Sequence, residues 1–146
     1  NLMTSHCVNF NIGVSKMLLE GKRIIVTGGA NGIAAGTVRG YVKEGATIAV
    51  LDIQDELGLK VVEEANKLGE GKATYYHCNV ANRDEVFSVF EQAAKDMGGL
   101  DVLAHIAGVE KINTAEDYTP EEMKFVLGCE YQRDNFHKPS CLQNYG

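Results

Sequence analysis

No stretch of the chain comes near the roughly 20 consecutive apolar residues that a membrane-spanning helix needs. Basic residues are also in the minority, with 14 Lys and Arg against 20 Asp and Glu. The resulting net charge of −6 argues against nucleic acid and anionic membrane as main partners. The four cysteines, Cys7, Cys78, Cys129 and Cys141, include no CxxC pair and no regular spacing. That pattern fits reduced thiols better than a disulfide framework or zinc site. His6-Cys7 and His77-Cys78 are adjacent pairs, a spacing that does not build a tetrahedral centre, so no metal site is expected. Residues 1–16 lack the basic-then-apolar layout of a secretory signal, and a cytoplasmic location is expected. Met17 makes a better natural start than Asn1, and residues 1–16 read as a loose extension.

What is present is a clear alternation of periodicities. A hydrophobic fraction of 45% over 146 residues is enough for one domain with a real core. Residues 22–27 read as a strand. Ile33, Ala34, Val38, Tyr41 and Val42 then repeat with helical spacing up to Gly45. Residues 46–51 (ATIAVL) form a nearly continuous apolar run, as in a parallel strand covered on both faces. Leu57, Val61, Ala65 and Leu68 mark one stripe of a second helix, and residues 72–78 read as a third strand. Asn82-Arg83-Asp84-Glu85 has the form of a capping box opening a helix with Val86, Phe90, Ala93 and Met97 on its apolar face. Residues 101–106 read as a fourth strand. Thr119-Pro120-Glu121-Glu122 is a second capping box, starting a helix with Met123, Val126 and Leu127. Strands alternating with helices through short links predict a doubly wound α/β domain with parallel strands and right-handed crossovers. Gly36 and Gly40 fall inside the first helix at a cost of about 1 kcal/mol each, and close packing of that helix on the sheet is the expected reason.

The segment between the first strand and first helix carries the chemistry. Thr27-Gly28-Gly29-Ala30-Asn31-Gly32-Ile33 is a glycine-lined turn that opens a helix N-terminus, where free N–H groups and the helix dipole hold a pyrophosphate. Asp52, at the end of the second strand, stands where an acid accepts hydrogen bonds from the adenosine ribose hydroxyls. It also repels the extra phosphate of NADP, and neither Asn31 nor Ile53 supplies a compensating cation. Helix capping is the alternative role for Asp52.

Together these residues resemble the short-chain dehydrogenase/reductase family over about residues 17–127. The family's turn is Thr-Gly, three variable residues, Gly, one variable residue, Gly; here Ala34 stands for the last glycine. The resemblance implies a Rossmann-like doubly wound parallel sheet, cut short after the fourth strand and the start of the following helix. After the third strand the family has Asp and an aliphatic residue, the Asp bonding the adenine amino group. This chain has Asn79-Val80, whose amide oxygen is expected to accept the same bond. After the fourth strand the family has Asn-Asn-Ala-Gly; here it is His105-Ile106-Ala107-Gly108. His105 reads as structural rather than as an acid–base group. The cofactor-binding set is therefore Thr27, Gly28, Asn31, Gly32, Ile33, Asp52, Ile53, Asn79, Val80, His105, Ala107 and Gly108. The implied cofactor is NAD rather than NADP, and the implied substrates are small alcohols and ketones.

The family's catalytic tyrosine, with a lysine four residues on, is absent. No tyrosine of the chain has lysine at that spacing, so no catalytic residue is assigned. Residues 129–146 have no usable period and depart from the family. A frameshift, retained intron or truncated reading frame is the first explanation. A genuine short ending, or a site built from His137, Cys141 or Tyr145, are the alternatives. An uncovered fourth strand implies an apolar edge and self-association, hence a homo-oligomer. The expected division is 1–16 extension, 17–128 NAD-binding domain and 129–146 tail. The competing function is a non-catalytic NAD-binding or interaction module. A methyltransferase fits less well, since it accounts for neither Ala107-Gly108 nor the spacing of the turn.

Overall fold

A computed structural model describes residues 17–108 and 119–121. Two apolar strands form its centre: β1 (Arg23–Thr27) and β2 (Thr47–Asp52). They pair in parallel, with Ile24 opposite Ile48 and Thr27 opposite Leu51. Both are apolar on successive residues rather than alternate ones, because each of their faces is covered. Ile24, Val26, Ile48 and Val50 pack toward one side of the sheet, and Ile25, Ala49 and Leu51 toward the other.

β3 (Lys72–His77) pairs in parallel with β2, and β4 (Val102–His105) with β1. The order is β3-β2-β1-β4. The chain thus moves outward from β1 to β3 and then returns to the other side of β1. That reversal creates a crevice at the carboxyl ends of β1 and β4, where open α/β sheets bind ligands.

The helices α1 (Gly32–Lys43) and α2 (Asp55–Ala65) lie on the first face, and α3 (Arg83–Met97) on the second. α1 buries Ala34, Ala35, Val38 and Val42. α3 buries Val86, Phe90, Ala93 and Ala94, and ends on Gly98 in the left-handed conformation, which satisfies its last carbonyls. Pro120 and Glu121 have begun the helix predicted at the second capping box; Met123, Val126 and Leu127 fall outside the described residues.

Three local expectations are corrected. The stripe of α2 is Gly58, Val61 and Ala65, while Leu57 and Leu68 are exposed. Gly58 faces the sheet because a side chain there would collide with the Tyr75 ring. Gly36 and Gly40 do not mediate close packing: both are exposed, and among the described residues an added Cβ at either meets nothing within 4 Å. The capping box of α3 is only half formed. Asn82 Oδ1 accepts from Glu85 N–H at 3.4 Å, but Glu85 Oε1 accepts from Asn79 N–H at 2.8 Å instead of from Asn82.

At the end of the sheet away from the crevice, Arg23 closes the structure. Its guanidinium donates to both carboxylate oxygens of Asp101, Nε to Oδ2 at 2.8 Å and Nη2 to Oδ1 at 2.7 Å. Asp101 N–H donates to the Arg23 carbonyl at 2.9 Å. This two-pronged pair fixes the entry of β4 beside the start of β1. The Arg23 hydrogen bonds hold the Asp101 carboxyl well below the usual carboxylate range.

Candidate functional site

The glycine turn sits at the carboxyl end of β1. Gly28 has φ 72° and Gly32 φ 54°, in the left-handed region that glycine enters without steric cost. Gly28 is also squeezed: an added Cβ would lie 2.7 Å from Ala107 Cα and 2.9 Å from Ala107 N. Its N–H donates to the Leu51 carbonyl at 2.8 Å. The turn is therefore fixed against the end of β2 on one side and the segment after β4 on the other.

Asn31 caps α1, its side-chain oxygen accepting from Gly32 N–H at 2.8 Å. The first turn of α1 contains no acidic residue. The Ile33 and Ala34 amides have no intrahelical acceptor and lie at the positive end of the helix dipole, an arrangement suited to an anion. Ile33 itself is 82% exposed. Ala34 is buried in the core, so its methyl group is accommodated.

Asp52 is the last residue of β2 and only 7% exposed. Its Oδ2 accepts from Ala30 N–H and its Oδ1 from Gln54 N–H, each at 3.0 Å. The carboxylate is thus aimed by the glycine turn itself, and each oxygen keeps lone-pair capacity for another donor. It does not cap the body of α2, which begins at Asp55 with Gln54 at the cap position. Ile53 is 59% exposed beside it.

A cluster that the sequence reading missed surrounds this acid. The Tyr75 hydroxyl lies 2.7 Å from the Asp52 carbonyl and 2.8 Å from Asp55 Oδ1, and His77 Nδ1 lies 2.7 Å from the same Asp55 oxygen. Burial and Asp55 raise the Tyr75 phenol above its ordinary value. The hydrogen bond with Asp55 raises His77, and the same bond lowers Asp55. The sequence signal was present: Tyr75 and His77 share one face of β3, opposite the acidic first turn of α2.

Past β3, Asn79 is exposed and forms a tight local turn, its Oδ1 accepting from Ala81 N–H at 3.0 Å. Val80 packs partly against the second core face. At the carboxyl end of β4, the Thr27 hydroxyl bonds His105 Nδ1 and accepts from Ala107 N–H at 3.3 Å. Thr27 and His105 are register partners on β1 and β4, so this bond ties the two strand ends together. Thr27, Gly28, His105 and Ala107 thus form one contact group; Asn31, Gly32 and Ile33 open α1 beside it, and Asp52 is linked through Ala30. Gly108 follows Ala107 directly, and Asn79 and Val80 lie further out at the end of β3.

Among the described residues, no His, Cys, Asp and Glu grouping of three or more is placed to hold a metal ion. No helix among them is long and apolar enough to cross a membrane.

A 3-2-1-4 parallel sheet with a glycine turn after its first strand defines the Rossmann-like α/β class. Comparison with known proteins narrows this. The family model for short chain dehydrogenase matches residues 22–131. Short-chain dehydrogenase reductase 3b of Arabidopsis thaliana is 47% identical over 91 residues, covering 62% of this chain and 34% of that protein. A short chain dehydrogenase from Mycobacterium smegmatis superposes with a TM-score of 0.75 at 28% identity, over 82% of this chain and 52% of that one. NAD+-bound xylitol dehydrogenase superposes with a TM-score of 0.78 at 26% identity, over 88% and 52% of the respective chains. The chain belongs to the short-chain dehydrogenase family. It spans about a third of the length of the Arabidopsis relative and about half of each solved chain.

Proposed function

We propose that this chain is the cofactor-binding part of an NAD-dependent oxidoreductase that moves a hydride between nicotinamide and a small alcohol or ketone. The residues fit a dinucleotide. Gly28 and Gly32 leave a turn free of side-chain bulk, the first amides of α1 face an anion, and Asp52 is aimed at a ribose. NAD supplies the hydride chemistry, and the side chains of this chain bind and orient it.

The observation that carries the preference for NAD is the Asp52 carboxylate, nearly buried and fixed by Ala30 and Gln54. A ribose with free hydroxyls donates to it; a 2′-phosphate in the same place brings negative charge against it. Neither Ile53 nor Gln54 offers a cation in compensation. The relative solved with bound NAD+ supports this reading.

Family chemistry needs a phenol whose pKa is lowered by a neighbouring lysine, and residues 1–146 contain no tyrosine with lysine four residues on. Turnover in this reading needs residues outside these 146. The same absence supports the second reading, a module that binds NAD without reacting it. Partners in the first reading are the dinucleotide, a small alcohol or ketone for the whole enzyme, and a second copy of the chain along β4. A cytoplasmic setting accompanies it.

Titration calorimetry with NAD and NADP tests the proposal. NAD is expected to bind more tightly, and Asp52→Asn to narrow the difference. NADP binding more tightly to the unaltered chain overturns the ribose assignment. Turnover of an alcohol panel by the 146-residue chain, lost on substitution within it, overturns the assignment of catalysis elsewhere.

A further inference from the structure

Asn79 has its backbone and side chain committed in a way that fixes which end of its amide faces outward. Its N–H donates to Glu85 Oε1 at 2.8 Å, and its carbonyl accepts from Asn82 N–H at 2.9 Å. Its Oδ1 accepts from Ala81 N–H at 3.0 Å. Only an oxygen can sit opposite that N–H, since Nδ2 would bring donor against donor. The amide oxygen is therefore turned in on its own loop, and the NH2 group is the end left to meet a ligand. The residue is exposed at the carboxyl end of β3.

The sheet order determines what arrives there. A dinucleotide with its pyrophosphate on the turn after β1 and a ribose on Asp52 at the end of β2 runs across the strand ends in the order β1, β2, β3. Its base then falls at the residues following β3. We propose that Asn79 presents Nδ2, a donor, to the 6-position of the purine, so that this chain binds a purine dinucleotide with little selection for a 6-amino over a 6-oxo base. The inference rests on the dinucleotide reading above and makes Asn79 a specificity-determining residue within it.

The chemistry of the two bases gives the direction. The 6-amino group of adenine is a donor and gains nothing from a second donor; the 6-oxo group of hypoxanthine accepts from one. An aspartate at position 79 reverses this. One carboxylate oxygen still closes the turn on Ala81, and the other takes a charge-assisted bond from the 6-amino group.

The test is titration of the unaltered chain, Asn79→Ala and Asn79→Asp with NAD and with nicotinamide hypoxanthine dinucleotide. The quantity read is the ratio of the two Kd values, hypoxanthine over adenine, in each protein. The difference between the bases at ring nitrogen N1 is common to all three proteins and cancels when the ratios are compared. So does the repulsion an added carboxylate exerts on the pyrophosphate. The ratio is expected to be lowest in the unaltered chain, intermediate in Asn79→Ala, and about tenfold or more higher in Asn79→Asp. A ratio in Asn79→Asp equal to or below that of the unaltered chain overturns the proposal. Failure of either dinucleotide to bind any of the three, each melting cooperatively, overturns the dinucleotide reading itself.

Discussion

Single residues show how differently one residue type is used in one chain. Gly28 is held at φ 72° with Ala107 backbone atoms where a side chain would begin. Gly36 lies mid-helix and exposed, with 4 Å of clear space among the described residues. Gly28→Ala is therefore expected to destabilise the fold by about 2 kcal/mol or more, from left-handed strain plus backbone overlap. Gly36→Ala is expected to stabilise by about 0.5–1 kcal/mol, through helix propensity and reduced unfolded-state entropy. Urea unfolding midpoints of the two variants, moving in opposite directions, check both. Cys78 is buried, and burial with the nearby Glu85 charge pushes its thiol up to about 11. Its thiolate is scarce at neutral pH, so iodoacetamide is expected to label Cys78 only after unfolding, as read by peptide mass mapping.

Among the elements, the inner strands carry the stability. Ile25 is fully buried, packing with Val86 and Phe90 of α3. Ile25→Ala is expected to cost about 2–5 kcal/mol in a chemical unfolding titration. These strands were legible to within one or two residues, because burial on both faces writes an unbroken apolar run into the sequence. The Thr27 turn and Asp52 were legible for a related reason: strand end, glycine and acid follow in a fixed order along the chain. The face of α2 was not legible. Hydrophobic periodicity favours Leu57 and cannot see Gly58, whose role is to make room for Tyr75, a residue on another element. The orientation of the Asn79 amide was equally hidden, since a hydrogen bond to Ala81 leaves no mark on composition or period. The same holds for Gly36 and Gly40, where a cost in propensity looked like evidence of packing.

The molecule as a whole is fastened at the crevice end by Thr27, His105 and Ala107, and at the opposite end by Arg23 and Asp101. The second fastening is sensitive to acid. The folded-state pKa of Asp101 is depressed by Arg23, so its contribution is present above the unfolded carboxylate pKa of about 4 and is lost as pH falls below it. The melting temperature is expected to drop between neutral pH and pH 3. Asp101→Asn is expected to be less stable at neutral pH and to show a shallower acid limb, as followed by circular dichroism. An unchanged acid slope in that variant would remove Asp101 as its cause.

The contact of Thr27 and Gly28 with Ala107 also bears on when the site comes into being. The hydrogen bond from Ala107 to Thr27 joins residues 80 positions apart, so it closes a loop that contains nearly every other described element. Contacts of such long range form late, after nearer pairings have met the entropy of closure. The first glycine of the turn is therefore shaped only once β4 has reached β1, and a folding intermediate made of β1, β2 and β3 has no finished cradle to offer. In refolding followed by stopped flow, NAD should associate with the last native phase and not with an earlier one. Cofactor capture then serves as a report that the sheet has closed.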